Sequence, residues 1–140
     1  MTISATDILV PVCFKTPLLY LLTQKVAQKF GYVLGIGKPK YGVLFWAVTV
    51  IDCPEEMKDV RLAVGSNGAS MWWLNGEEAV MLEGDRRMVR DDVVSKKLTL
   101  KKGRNILRGA VINGPGMSDF CVRFIDGQGK PVRSLSIHVK

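Results

Sequence analysis

The stretch Val60-Arg61-Leu62-Ala63-Val64-Gly65-Ser66-Asn67-Gly68-Ala69-Ser70-Met71-Trp72-Trp73-Leu74-Asn75-Gly76 decides the fold class of this chain. Val60, Leu62 and Val64 alternate with Arg61 and Ala63, the period-two pattern of a strand with one face in a core. Gly65 to Gly68 reads as a turn, because Asn and Gly tolerate positive φ. Ser70 to Leu74 is the return strand. Asn75-Gly76 is then a hairpin signal that leads into Glu77 to Leu82. Strand, turn, strand, tight turn, strand within so short a run is antiparallel β structure.

Outward from that stretch the same grammar continues. Val43 to Ile51 is rich in β-branched and aromatic residues, ends at Asp52-Cys53-Pro54, and reads as a strand buried on both faces. Beyond a charged loop from Glu83 to Asp92, Val93 to Leu100 gives one more strand. Lys102-Gly103 turns the chain into Asn105 to Ile112, which Gly109 interrupts. Asn113-Gly114-Pro115-Gly116 is a loop, Phe120 to Ile125 a strand, Asp126 to Gly129 a turn, and Ser134 to Val139 closes the chain. Short strands at this spacing predict an all-β fold, an antiparallel β-sandwich or jelly roll.

The first forty residues follow another pattern. Leu18, Leu21, Leu22 and Val26 form an apolar stripe between Pro17 and Phe30, which predicts a short N-terminal helix ending at Gly31. Leu18 to Leu22 as a buried strand is the alternative. Gly35-Ile36-Gly37-Lys38-Pro39 is a loop without the spacing, or the Lys-Ser/Thr pair, of a phosphate-binding loop. Neither repeats nor low-complexity linkers divide the sequence. The expectation is one domain over residues 1–140, with 41–140 as the core of the sandwich and 1–40 poorly assigned.

Composition narrows the function classes. The chain has 140 residues, 47% hydrophobic and 24% charged, which is ordinary globular usage. Its longest apolar run, Val43 to Ile51, is about half of what a membrane-spanning helix requires. The formal charge of +7 invites a nucleic-acid partner, but its distribution argues for a mixed soluble surface. Signs interleave, as in Asp85-Arg86-Arg87 and Arg90-Asp91-Asp92, and Lys96, Lys97, Lys101, Lys102 and Arg104 flank the short strand Leu98-Thr99-Leu100. Cys13, Cys53 and Cys121 lie far apart in no metal-binding spacing, and small buried thiols are the favoured reading over a disulfide.

From Tyr41 to about Val132 the sequence resembles galactose-binding-like domains found beside bacterial glycoside hydrolases and carbohydrate esterases. Three segments carry the resemblance: Val60 to Gly76, Leu98 to Val111 with its Leu-Lys-Lys-Gly-x-Asn turn, and Asn113 to Phe124. Two positions depart from the family. Asn67-Gly68 stands where an Asp pair is usual, leaving a carboxylate-based ion site there without its acids. Ser118 stands where the glycine loop usually supplies an aromatic residue. The resemblance implies a non-catalytic carbohydrate-binding module for a plant-type or other polysaccharide. It would be carried by the catalytic domain of a larger secreted or cell-surface enzyme, although no signal sequence is visible and a cytoplasmic place stays open. A structural β-sandwich that braces a neighbouring catalytic domain is the alternative. No cofactor is implied, and the scattered acids neither require nor exclude a structural calcium.

Sugar recognition needs a flat apolar surface against the C–H groups of the ring and polar side chains for the hydroxyls. Trp46, Trp72 and Trp73 are the candidate platforms. Adjacent residues of a strand point to opposite faces, so Trp72 with Ser70 and Leu74 goes to the core and Trp73 with Met71 goes outward. Trp73 is then a ligand platform, or it packs under a loop, while Trp46, in a continuously apolar strand, is favoured as core packing. Asn67, Asn113 and Asp119 in loops and Arg108 in a strand are the candidate polar partners. Catalysis has little to stand on: the one histidine, His138, lies near the C-terminus, and no Gly-x-Ser-x-Gly elbow is present. The paired acids Glu55-Glu56, Glu77-Glu78 and Asp91-Asp92 fall in charged turns, not across a cleft.

Overall fold

The computed structural model describes residues 8–11, 19–22, 43–84, 86–87, 89–113 and 119–138. The elements are β1 (Ile8–Pro11), β2 (Leu19–Leu22), β3 (Val43–Cys53), β4 (Met57–Ser66), β5 (Ser70–Leu74) and β6 (Glu77–Leu82), followed by β7 (Val93–Val94), β8 (Leu98–Leu100), β9 (Gly103–Asn113), β10 (Asp119–Ile125) and β11 (Ser136–His138). Among the described residues one sheet runs β1-β3-β9-β5-β6, with β11 also on β3, and the other runs β2-β10-β4-β7, with β8 also on β4. The pairings are antiparallel except that of β1 with β3, which is parallel. This is the expected all-β sandwich. No element of the described residues is a helix.

The helix expected over Pro17 to Phe30 is therefore corrected where it can be read. Leu19–Leu22 is a strand paired with β10, and the remainder of that segment lies outside the described residues, as do Gly35 to Pro39, Cys13 and Ser118. A stripe of leucines fits a helix and a buried strand equally, and the open edge of β10 chooses the strand here.

Alternation places the core. On β3 Ala47, Thr49, Ile51 and Cys53 are buried while Leu44, Trp46, Val48 and Val50 are only half-buried, so this strand is not buried on both faces. The buried side of β3 joins Leu107 and Val111 of β9, Trp72 and Leu74 of β5, and Val80 and Leu82 of β6. They meet Val60, Leu62 and Val64 of β4 and Phe120, Val122 and Phe124 of β10. Trp72 is the central piece: 1% exposed, its ring centroid stands 5.4 Å from that of Phe120, and its Nε1 donates to Ser70 Oγ at 3.1 Å. Gly109 does not interrupt β9. It makes room, because a Cβ there would stand 2.4 Å from Trp72 Cζ3.

Turn chemistry closes the sheets. Asn75 and Gly76 both take positive φ, 53° and 87°, as a two-residue hairpin with the right-handed twist of its strands requires. Asn105, fully buried, clasps this hairpin to the β8–β9 turn. Its Oδ1 accepts from Lys101 N and Asn75 Nδ2, both at 2.9 Å, and its Nδ2 donates to the Lys101 and Gly103 carbonyls. Ser95 explains why the strand expected from Val93 to Leu100 is two pieces. Its hydroxyl takes the Leu62 N–H at 2.8 Å, and this side chain–backbone bond interrupts the ladder between β7 and β8.

Candidate ligand-binding face

The outer faces of the two sheets differ. Over the β4–β10 sheet the segment after β6 folds back: the Val89 carbonyl presses on Gly65, and a Cβ at Gly65 would meet it at 1.9 Å. Arg86 N donates to Asn67 O, Arg86 pairs with Asp92 at 2.8 Å, and Asp91, at φ 55°, pairs with Arg123 of β10 through two guanidinium nitrogens. Ala63, Gly65, Cys121 and Ile125 are buried beneath or beside this cover.

The β3–β9–β5–β6 sheet turns an apolar outer face toward solvent. Register sets its rows. In one row Val48 of β3, Arg108 of β9, Trp73 of β5 and Glu78 of β6 stand side by side. Two residues along, Trp46, Ala110, Met71 and Met81 form the next row, and Leu44 with Ile112 continues it. The indoles of Trp46 and Trp73 lean together across Ala110, with centroids 5.7 Å apart and planes tilted by 32°. The Arg108 guanidinium carbon lies 5.4 Å from the Trp46 ring centroid and 5.5 Å from that of Trp73, a cation–π contact with both. Such stacking holds a long, flexible side chain against the two rings.

Beside the indole pair the face sinks into a depression of about 430 Å³. Leu44, Trp46, Met71, Trp73, Met81, Ala110 and Ile112 line it, and Ala69, Ser70, Leu82, Glu83 and Gly84 lie at its loop end. Met81 is 47% exposed and Ile112 43%, large values for apolar side chains on a sheet. A bulge between Trp72 and Trp73 in the β5–β6 pairing keeps Glu78 opposite Trp73 while Met81 stays opposite Met71.

Of the residues singled out from sequence, Trp73, Arg108 and Trp46 come together here, the last of them half-buried on the outer face and not in the core expected for it. Trp72 does not: as the alternation implied, it is core. Asn67 follows the end of β4, Asn113 closes β9 and Asp119 opens β10, so these three backbones gather at the sandwich end where the depression opens, away from the indoles. Sequence reading placed Met71 on the outer face but missed Leu44, Met81, Glu78 and Ile112. Their signal is cross-strand register, which needs the strand order.

Glu55, Glu56, Glu77 and Glu78 are exposed, and Asp91 and Asp92 are held by Arg123 and Arg86. Cys53 and Cys121 are buried, and burial pushes the Cys121 thiol up. Among the described residues no three His, Cys, Asp or Glu side chains gather as a metal site.

No family model matches the chain, and neither does any curated protein. Among solved structures it is similar to a family 35 carbohydrate binding module from an environmental isolate, with 11% identity and a TM-score of 0.46 over 71% of this chain and 73% of that one. An overlap this partial says nothing of a ligand.

Proposed function

We propose that this chain is a non-catalytic carbohydrate-binding domain that docks a polysaccharide on the Trp46–Trp73 pair. The observation that carries the reading is the meeting of two indoles and a guanidinium on the open face of the larger sheet. Indole surface takes the C–H side of a sugar ring at low entropic cost, while Arg108 and Glu78 flank Trp73 as donor and acceptor for hydroxyls. In this reading residues 1–140 are one domain of a larger bacterial carbohydrate-active enzyme, secreted or at the cell surface, with the chemistry done by a catalytic neighbour.

Affinity gels containing xylans, mannans, β-glucans and pectins test it. A subset is expected to retard the protein. Trp73→Ala is expected to weaken retention by about 10- to 100-fold, the usual loss when an aromatic anchor is truncated. Retention that survives in the folded variant, or uniform failure of the wild type, sinks the reading.

One observation favours a second reading, a brace for a neighbouring domain. Met81, Ile106 and Ile112, 47%, 46% and 43% exposed, extend the apolar surface well beyond the indoles, as at a face that packs on protein.

A further inference from the structure

We infer that the face selects a neutral polysaccharide carrying ester-linked acetyl groups, with the acetyl methyl seated in the depression between Met71, Met81 and Ile112. The inference rests on the carbohydrate reading above and names its substrate class.

The face is divided by row. Around Trp73 stand the groups that can satisfy hydroxyls, Arg108 on one flank and Glu78 on the other. Beyond the indoles the lining changes to Leu44, Met71, Met81 and Ile112, side chains that offer a hydroxyl no donor and only the weak thioether acceptors of the methionines. A sugar stacked on the indole pair therefore has one polar margin and one apolar margin. An unsubstituted glycan is hydroxylated on both, and its hydroxyls over the depression would lose water without gaining a strong partner. An acetyl ester presents a methyl there instead. The rows are separated by two residues along each strand, roughly 7 Å, a span that an acetyl substituent on a stacked ring covers. Methionines suit the role, because their unbranched thioethers adapt to a small apolar guest at different ring positions.

Charge selects in the same direction. Glu78 and Arg108 oppose each other across Trp73, and Glu83 adds a second carboxylate at the rim, so the face offers a polyanion no excess of positive charge.

The test pairs each native acetylated, uncharged polymer (glucomannan, galactoglucomannan) with the same polymer deacetylated by mild alkali, in affinity gels. The Trp73→Ala variant, run beside the wild type, sets the non-specific mobility shift in each gel. Retention on at least one acetylated polymer roughly tenfold stronger than on its deacetylated partner is expected, the scale of a small apolar group entering a pocket. Ile112→Thr should reduce that preference. Equal retention on both members of every pair overturns the acetyl inference while leaving the carbohydrate reading standing. Failure of the folded protein on all polymers overturns both and leaves the face to an apolar segment of a neighbouring polypeptide.

Discussion

Replacing Asn105 by alanine removes four hydrogen bonds at once from a side chain with no solvent exposure. Lys101 N, Lys101 O, Gly103 O and Asn75 Nδ2 lose their partner together, at distances of 2.8–3.1 Å in the native state. At about 1 kcal/mol net for each bond, with some rehydration of the partly exposed turn, the loss comes to about 3 kcal/mol. That is a large share of the roughly 5–15 kcal/mol that holds a domain together, and it corresponds to a fall in Tm of about 10–15 °C. Urea titration followed by tryptophan fluorescence measures it, with an unchanged m-value expected because the same surface is exposed on unfolding. Asn105→Asp sharpens the test. Burial raises the new carboxyl above its unfolded value, so the variant should be least damaged at low pH and lose stability as pH rises through the carboxylate range. A cycle of Asn105→Ala with Asn75→Gly should show coupling of about 1 kcal/mol. An Asn105→Ala loss below about 1 kcal/mol, or an Asp variant insensitive to pH, would refute the clasp.

Other consequences are local. Gly109→Ala places a Cβ 2.4 Å from Trp72 Cζ3 and should cost about 1–3 kcal/mol by overpacking. Near-UV circular dichroism should change with it, since the Trp72 ring must shift against Phe120; an unaltered spectrum with unaltered stability contradicts the packing. Cys121, raised by burial, should resist thiol reagents at pH 8 until global unfolding exposes it, as read by peptide mapping of the labelled protein. Because the thiol ionises more readily once unfolded, stability should fall as pH rises above the ordinary cysteine value, about 8.5; fast labelling under native conditions would count against its burial.

What could be read from the sequence follows the reach of each signal. The hairpin at Asn75-Gly76 was legible because its backbone demand is local: two adjacent residues at positive φ leave few alternatives to Asn and Gly. The split of Trp72 and Trp73 between core and surface was legible from alternation alone. Ser95 was not, since its bond to Leu62 joins residues 33 apart and looks like ordinary strand sequence from either side. Gly109 was misread as a break for the same reason. Its meaning lies in the ring of Trp72 on the next strand. The site shows the same division. Trp46, Trp73 and Arg108 could be nominated by residue type, but their meeting depends on β9 lying between β3 and β5, a strand order no short window contains.

That strand order also bears on why this face, rather than the loop end, is the place to look for a ligand. The second sheet protects its outer side with Gly65 under the Val89 carbonyl and with the Asp91–Arg123 pair, so the chain carries the means to cover a sheet. On the larger sheet Trp46, Trp73 and Arg108 instead hold one another, and Met81 and Ile112 stand out beside them. Core packing does not demand this arrangement, because the buried side of the same strands already supplies Trp72, Leu107, Val111 and Ile51. Polar side chains at Met81 and Ile112 would leave that core untouched and favour solubility. Apolar exposure that the core does not require is what sets this face apart from the covered face of the second sheet.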